Sequence, residues 1–539
     1  MSVDLTFHGA CGTVTGSCFE VRTRKSAVLI DCGMFQGTKT IKELNYGKFP
    51  FDPRKISAVI VTHAHVDHCG LVPKLIAAGF RGRVHATAAT ADLMTYVLPD
   101  SGYIQEVEVE RLNRRNRQRG KPSIEPIYTR EMAERALQRL SHVAYDTWIE
   151  VAPGIRARFW DAGHILGSAS VEIEVADDAD KRGPVRILFS GDIGTGDKSF
   201  QPAPSGPAGT DFVVMESTYG AITRKPRSFA LRRQILAKEM KAALKAGGMI
   251  LVPAFAIERT QEFLVDLDAL FDSGQIPTLP VFVDSPLAQR ATEVFDKHLT
   301  GKIDGDVTHP FRRQNIRYVE TPDESKRLNR LRGGAIIMAG SGMCDAGRIR
   351  HHLKAHLGRS DTTVMLIGYQ APGTLGRLLV DGQRMVRIHG EDTAVEARIR
   401  FVDEYSGHAD QRGLIAWLNA RQPVTHQVFL VHGEDGARAG LALALTKSGL
   451  AKSKLHQPTL GETVRLSGAS GAKTVRVRAN IDVAQCAQSD WHNEYAATVL
   501  SLKRELEALP DDAARARMLK DIRGRLRRPP PRRPHKRKK

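Results

Sequence analysis

A chain of 539 residues exceeds one ordinary core, so at least two domains are expected. Its 42% hydrophobic and 26% charged residues are a globular balance, and no run of 18 apolar residues exists, which excludes a membrane-spanning helix. Lys and Arg total 79 against 60 Asp and Glu, a formal charge of +19, which favours a polyanionic partner, nucleic acid before membrane, over solubility alone.

Met1 to Gly16 lacks a basic segment followed by an apolar one, so no signal peptide is expected. The six cysteines (Cys11, Cys18, Cys32, Cys69, Cys344, Cys486) form no C-x-x-C pair and are scattered, which argues for reduced thiols and a cytoplasmic location.

In chain order, Ala27 to Ile30 reads as a strand ending in Asp31-Cys32-Gly33, where an aspartate can orient a ligand histidine or simply make a turn. Ala58 to Val61 is a short apolar β-branched strand, followed by Thr62-His63-Ala64-His65-Val66-Asp67-His68-Cys69-Gly70 and then a helix start from Leu71 to Ala78. The H-x-H-x-D-H spacing places four metal-competent side chains on a loop at a strand's carboxyl end, where open α/β sheets carry their sites. Tyr103 to Arg119 is heavily charged and reads as an exposed helix. Ile155 to Phe159 leads into Asp161-Ala162-Gly163-His164, and Arg186 to Ser190 into Gly191-Asp192. Alone, each also reads as a satisfied histidine or a turn aspartate; after H-x-H-x-D-H they fit the remaining ligands of a two-metal site.

From Asp211 a second pattern begins, with apolar strands at Phe212–Met215 (then Glu216), Met249–Val252, Val281–Val283, Ala335–Met338 and Thr363–Ile367 alternating with helices. That alternation implies a parallel sheet with its functional loops on one edge. Ser341 and Gly342, in a glycine-rich turn before a helix, and Arg348 beyond them could hold a phosphate. Tyr405 to Asp410, carrying His408, precedes a helix, and Gln427 to Val431 ends in His432-Gly433-Glu434. Ser467 to Ala472 reads as a small-residue linker and Val475 to Val483 as one more strand. Tyr495, Val499, Leu502, Leu506 and Leu509 recur at helical spacing, and a second helix restarts at Pro510-Asp511-Asp512. Arg523 to Lys539 holds ten Lys or Arg and four prolines without an acid, a composition that builds no core and is expected to be disordered.

Taken together the motifs resemble the metallo-β-lactamase superfamily and, within it, the β-CASP nucleases, which include ribonuclease J and the endonuclease of pre-mRNA cleavage and polyadenylation. The resemblance covers Met1 to about Leu466 and rests on Asp31, His63, His65, Asp67, His68, His164, Asp192, Glu216, His408 and His432 in order. It implies an α/β fold, a metallo-β-lactamase αββα sandwich (1–208 and 388–466) interrupted by an inserted β-CASP parallel-sheet domain (209–387). A helical extension (467–522) and a disordered basic tail (523–539) follow, and the KH-like G-x-x-G region of archaeal relatives is not seen. By the family pattern, His63, His65 and His164 hold one Zn2+ (Mn2+ as a substitute), Asp67, His68 and His432 hold a second, and Asp192 bridges them. His408, oriented by Glu216, is the acid for the leaving group. The implied activity is hydrolysis of single-stranded RNA to 5′-phosphate ends, His432 standing where the DNA-repair branch typically has valine. The alternatives are a DNA-processing nuclease of the same fold, a small-molecule metallo-hydrolase and a catalytically dead binding subunit. A homodimer and a C-terminal extension that binds RNA or protein complete the expectations.

The tail's composition carries its own test. Deleting Arg523–Lys539 is expected to weaken RNA binding mainly at low salt and to flatten the slope of log affinity against log salt, by roughly 0.7 for each phosphate of a single strand that the tail would otherwise neutralise. Binding titrations at several salt concentrations measure it; an unchanged slope assigns the tail to solubility or a protein partner.

Overall fold

The computed structural model describes residues 3–37, 39–176, 183–224, 228–299, 310–370, 373–477, 501–502 and 505–526. Two sheets lie face to face. The first has eight strands in the order Gly471–Arg476, Thr463–Ser467, Val3–Phe7, Phe19–Arg22, Ala27–Ile30, Ala58–Ile60, Arg83–Thr87 and Leu140–Val143. The second has seven, in the order Leu455–His456, Gln427–Leu430, Phe212–Met215, Val185–Phe189, Ala169–Val175, Ile155–Asp161 and Ile149–Ala152.

The period of two in a strand divides their side chains between layers. Val28, Ile30, Ala58 and Ile60 of the first sheet meet Phe159, Val171, Ile187 and Val214 of the second in one core. Ala27, Leu29 and Val59 point the other way, onto Leu75, Leu93 and Met94 of the covering helices. On the far side of the second sheet, Leu188, Val213, Met215 and Leu430 pack on Leu414, Trp417, Leu441 and Leu445. The result is the expected αββα sandwich.

A third sheet, all parallel, runs Ile316–Tyr318, Val281–Asp284, Ile336–Ala339, Ile250–Pro253, Thr363–Leu366, Arg398–Phe401. Its four central strands are near-continuous apolar runs because helices cover both faces, while the edge strands Ile316–Tyr318 and Arg398–Phe401 carry arginines. One of those helices, Pro286–Leu299, meets the long helix Ala88–Gln118 of the sandwich, where Lys297 Nζ and His298 Nε2 each lie 2.7 Å from Asp92 Oδ2. The charged stretch Tyr103 to Arg119 is the outer half of that long helix.

The sheet boundaries depart from the expected ones in three places. Phe212–Met215 pairs in parallel with both Val185–Phe189 and Gln427–Leu430, so it belongs to the sandwich and not to the insert that was to begin at 209. Arg398–Phe401 pairs with Thr363–Leu366, so the insert's sheet runs past 387. An apolar four-residue strand such as Phe212–Met215 carries no mark of which parallel sheet it joins, and Arg398–Phe401, an exposed edge strand with two arginines, lacks the apolar run that marks the others. Third, Ser467 to Ala472 is not a linker. Ser467 Oγ accepts from the amides of Ala469 and Ser470 at 3.1 and 3.2 Å, and Gly471 takes φ +79°. The turn joins Thr463–Ser467 to Gly471–Arg476, so the extra strand begins before Val475. Its small residues suit a tight turn as well as a linker.

The second compact unit comprises residues 489–539. Asp512–Leu526 is a helix, and it carries Arg523 to Leu526 of the stretch expected to be disordered. Arg515 donates to the carbonyls of Leu506 (3.0 Å) and Leu509 (3.3 Å), tying the preceding turn to this helix. Tyr495, Val499 and 527–539 lie outside the described residues.

Candidate metal centre

Neighbouring parallel strands deliver the site at their carboxyl ends. In the first sheet Ala27–Ile30 ends at Asp31 and the adjacent Ala58–Ile60 leads to His63, His65, Asp67 and His68. In the second, three consecutive strands, Gln427–Leu430, Phe212–Met215 and Val185–Phe189, end at His432, Glu216 and Asp192. The helix expected from Leu71 starts there, Leu71 capping Val72–Ala77, and a separate short helix, Val66–Cys69, carries Asp67 and His68.

The loops are knitted by backbone. Cys32 N donates to His68 O at 2.8 Å, Met34 N to Val66 O at 2.9 Å and Ser17 N to Asp67 O at 2.9 Å. Gly33 lies so close to the carbonyl of Asp67 that any side chain there would collide with it. Asp31 sits at φ +61° and His432 at φ +47°, left-handed conformations that a β-carbon disfavours and the surrounding structure holds.

Side-chain hydrogen bonds then fix which ring nitrogen faces inward. Asp31 Oδ2 accepts from His68 Nδ1 at 2.7 Å while its two oxygens take the Thr62 amide and hydroxyl at 2.8 and 2.9 Å. His63 Nδ1 lies 3.1 Å from Thr62 Oγ1, His432 Nδ1 3.1 Å from Thr218 Oγ1, and His164 Nδ1 donates to Gly407 O at 3.0 Å. With Nδ1 occupied, His63, His68, His164 and His432 present Nε2 to the centre, each held by an outer partner in the manner of ligand histidines. His65 presents Nδ1 instead.

The inward atoms form two clusters. His63 Nε2 is 3.0 Å from His65 Nδ1, which is 3.3 Å from His164 Nε2; His63 and His164 stand 3.4 and 3.5 Å from Asp192 Oδ2. His68 Nε2 is 3.2 Å from His432 Nε2; they stand 3.3 and 3.6 Å from Asp192 Oδ1 and 3.9 and 3.6 Å from Asp67 Oδ2. Four ligands at 2.0–2.1 Å around a tetrahedral ion lie about 3.3–3.4 Å apart, so both clusters have the edge lengths of a cation's coordination shell. Asp192 gives one oxygen to each, and its Oδ1 is buried with no hydrogen-bond partner in the protein. Burial holds His63 and His164 well below the ordinary imidazole range and His65 at about 4, so these rings are neutral and have lone pairs to give. Burial would protonate Asp192, but His432, His68, His408 and His63 around it outweigh that and keep it ionised. The residues fit divalent metal.

At the edge stands His408. Its Nδ1 donates to Glu216, 3.1 and 3.3 Å from the two oxygens, and its Nε2 is 3.8 Å from Asp192 Oδ2. Glu216 is buried and anchored by the amides of Ile193 (2.7 Å) and Thr218 (3.2 Å). His408 remains 19% exposed. Tyr219 meets its ring edge-on at 6.1 Å, Tyr369 of the insert meets Tyr219 at 6.0 Å, and the Arg224 guanidinium lies 3.8 Å from the Tyr219 ring centre.

Among the expected phosphate-binding residues, Arg348 is turned into the insert: it bonds Asp284 Oδ1 at 2.6 Å and the carbonyls of Val319 and Glu320 at 3.0 and 2.7 Å. Ser341 N donates to Ala346 O at 3.2 Å, and Gly342 backs onto the Phe255 ring. The sequence reading missed Thr62, Thr218 and Lys198, whose ammonium donates to the His164 carbonyl. Thr62 opens the H-x-H-x-D-H stretch and its hydroxyl beside His63 is a local hint; Thr218 and Lys198 carry none.

Comparison with known proteins agrees with this architecture. The Metallo-beta-lactamase superfamily pattern matches residues 11–204, the Beta-Casp domain 260–379, and the Zn-dependent metallo-hydrolase RNA specificity domain 392–454. The chain is 35% identical over 449 residues to Ribonuclease TTHA0252 of Thermus thermophilus, covering 82% of this chain and 95% of that one. This chain belongs to the β-CASP ribonuclease family of the metallo-β-lactamase superfamily. Other β-CASP relatives are the RNase J-like protein of Methanocaldococcus jannaschii (31% identity, 82% of this chain, 96% of that one) and Transcription termination factor FttA of Methanosarcina mazei (31%, 86% and 72%). Among the described residues no helix is long and apolar enough to cross a membrane.

In this β-CASP site Asp31 touches no ligand position of its own and acts through His68. Asp31→Ala is expected to weaken metal binding by roughly 10–100-fold, measured by titration against a chromophoric chelator. Unchanged affinity would show that His68 keeps its orientation from Thr62 alone.

Proposed function

We propose that this metal-dependent ribonuclease works with two zinc ions on single-stranded RNA and leaves 5′-phosphate ends. The observation that supports it is the sharing of Asp192 between two histidine clusters with the Glu216–His408 pair alongside. His63, His65, His164 and Asp192 would hold one ion, and Asp67, His68, His432 and Asp192 the other; manganese could replace zinc. When bound, such a pair supplies an activated water at neutral pH and neutralises charge on the phosphoryl group in transfer.

The remaining work falls to the chain's own residues. Asp192 fixes the separation of the two clusters. His408 has its Nδ1 proton committed to Glu216, so Nε2 is the atom that can protonate a leaving oxygen. Loss of the 3′-oxygen leaves the phosphate on the 5′ side of the downstream nucleotide. Tyr369, part-exposed on the insert's side of the junction, offers a ring to an unstacked base, and the buried Tyr219, packed under the Arg224 guanidinium, backs it.

His408→Ala is expected to slow RNA hydrolysis by roughly 100-fold or more while metal content stays at the wild-type value, and a substrate with a better leaving group should recover most of the rate. Loss of metal in the variant would make His408 a ligand instead. Substrate class is tested with matched single strands: DNA is expected to be cut much more slowly than RNA of the same sequence, with 5′-phosphate on the products by end-labelling. Equal turnover would favour a DNA-processing nuclease of the same fold.

A further inference from the structure

The helix Arg259–Asp272 of the insert starts with an odd residue. Glu258 holds its N-cap position at φ +69°, is wholly buried, and makes no side-chain bond to its own helix. Its carboxylate crosses to the sandwich instead. Oε2 accepts from the Leu166 amide at 3.2 Å and from Gln201 Nε2 at 3.2 Å. Leu166 belongs to the loop Gly163–Gly167 that carries His164. The buried Lys198, which attracts Glu258, donates to the His164 carbonyl. Arg259, the next residue, packs its guanidinium against Gly407, the residue whose carbonyl receives His164 Nδ1.

His164 is thus held in its own loop by Ser168 Oγ at 3.0 Å, on one flank by Lys198, which the Glu258 carboxylate attracts, and on the other by Gly407, against which Arg259 packs. A buried carboxylate, a buried ammonium and a left-handed glutamate are each unfavourable alone. Their concentration against one ligand loop has a direction: all of them meet at His164. Removing the side chain would leave the Leu166 amide and the Gln201 side-chain amide without their acceptor in a dry site.

We propose that Glu258 is a positioning residue that ties the His164 loop to the insert, so that the grip of the His63–His65–His164 cluster on its metal depends on the insert being docked. The proposal rests on the two-metal reading. Zinc affinity is measured on the full chain by chelator competition, together with thermal unfolding of the metal-free protein. For Glu258→Ala, one of the two ions is expected to bind roughly 10–100-fold more weakly while the other keeps its affinity; activity should return at high zinc with KM for RNA unchanged. Glu258→Gln, which retains an acceptor for the Leu166 amide, should recover part of the loss and serves where the alanine variant does not fold. Asp284→Asn is the control, a buried carboxylate of the insert that bonds Ser325, His352 and Arg348 and not the His164 loop. If both ions bind Glu258→Ala with wild-type affinity, or if Asp284→Asn at equal loss of stability weakens zinc as much, the positioning role is overturned. A wild-type chain that takes up no zinc would overturn the two-metal reading itself.

Discussion

One buried carboxylate sets the terms for everything around it. Asp192 has five imidazoles within 4 Å, with His63, His164 and His408 facing Oδ2 and His68 and His432 facing Oδ1. An anion taken out of water is tolerated only where charge answers it. Here the answer is the ring of imidazoles itself: His68 and His432, buried as they are, are raised above the ordinary imidazole range by the carboxylates they face, and divalent ions at the two clusters would supply that charge in their place. Such an arrangement favours cations at the two foci. It also explains why so many surrounding groups are hydroxyls and carbonyls: Thr62, Thr218 and Gly407 keep the rings turned the right way.

The scaffold requirement follows. Groups from residue 31 to residue 432 must converge within a few ångströms, and the sandwich achieves this by ending parallel strands of both sheets on the same side. A one-residue slip in any of these strands would reverse its side chains between the two cores. The apolar split of Val28 and Ile30 from Ala27 and Leu29 therefore protects the site as well as the stability.

Much of this was legible in the linear chain. H-x-H-x-D-H, Gly163-His164 and Gly191-Asp192 are local signals, because a ligand at a strand's end travels with the apolar run before it. Glu216, His408 and His432 were readable only through family order. What the sequence could not disclose are contacts between distant segments with no motif of their own: Lys198 reaching the carbonyl of His164, Glu258 reaching Leu166, Arg224 reaching Asp403. Sheet membership was equally hidden, since Phe212–Met215 and Ile250–Pro253 are alike in length and polarity yet lie in different sheets. Arg348 shows the converse, a charge beside a glycine turn whose hydrogen-bonding capacity is taken up by Asp284 and two carbonyls.

The junction of the insert has a mechanical consequence. The chain leaves the sandwich through Glu216 to Arg224 and returns through Asp403 to Asp410, and these two passages are fastened together: Arg224 Nε bonds Asp403 Oδ2 at 3.0 Å, and Tyr219 bridges Asp410. The insert is therefore a loop of chain drawn shut at its neck, and Glu216 and His408 are the two threads of the knot. A pull on the insert would first load the Arg224–Asp403 and Tyr219–Asp410 fastenings, which stand between it and the Glu216–His408 pair.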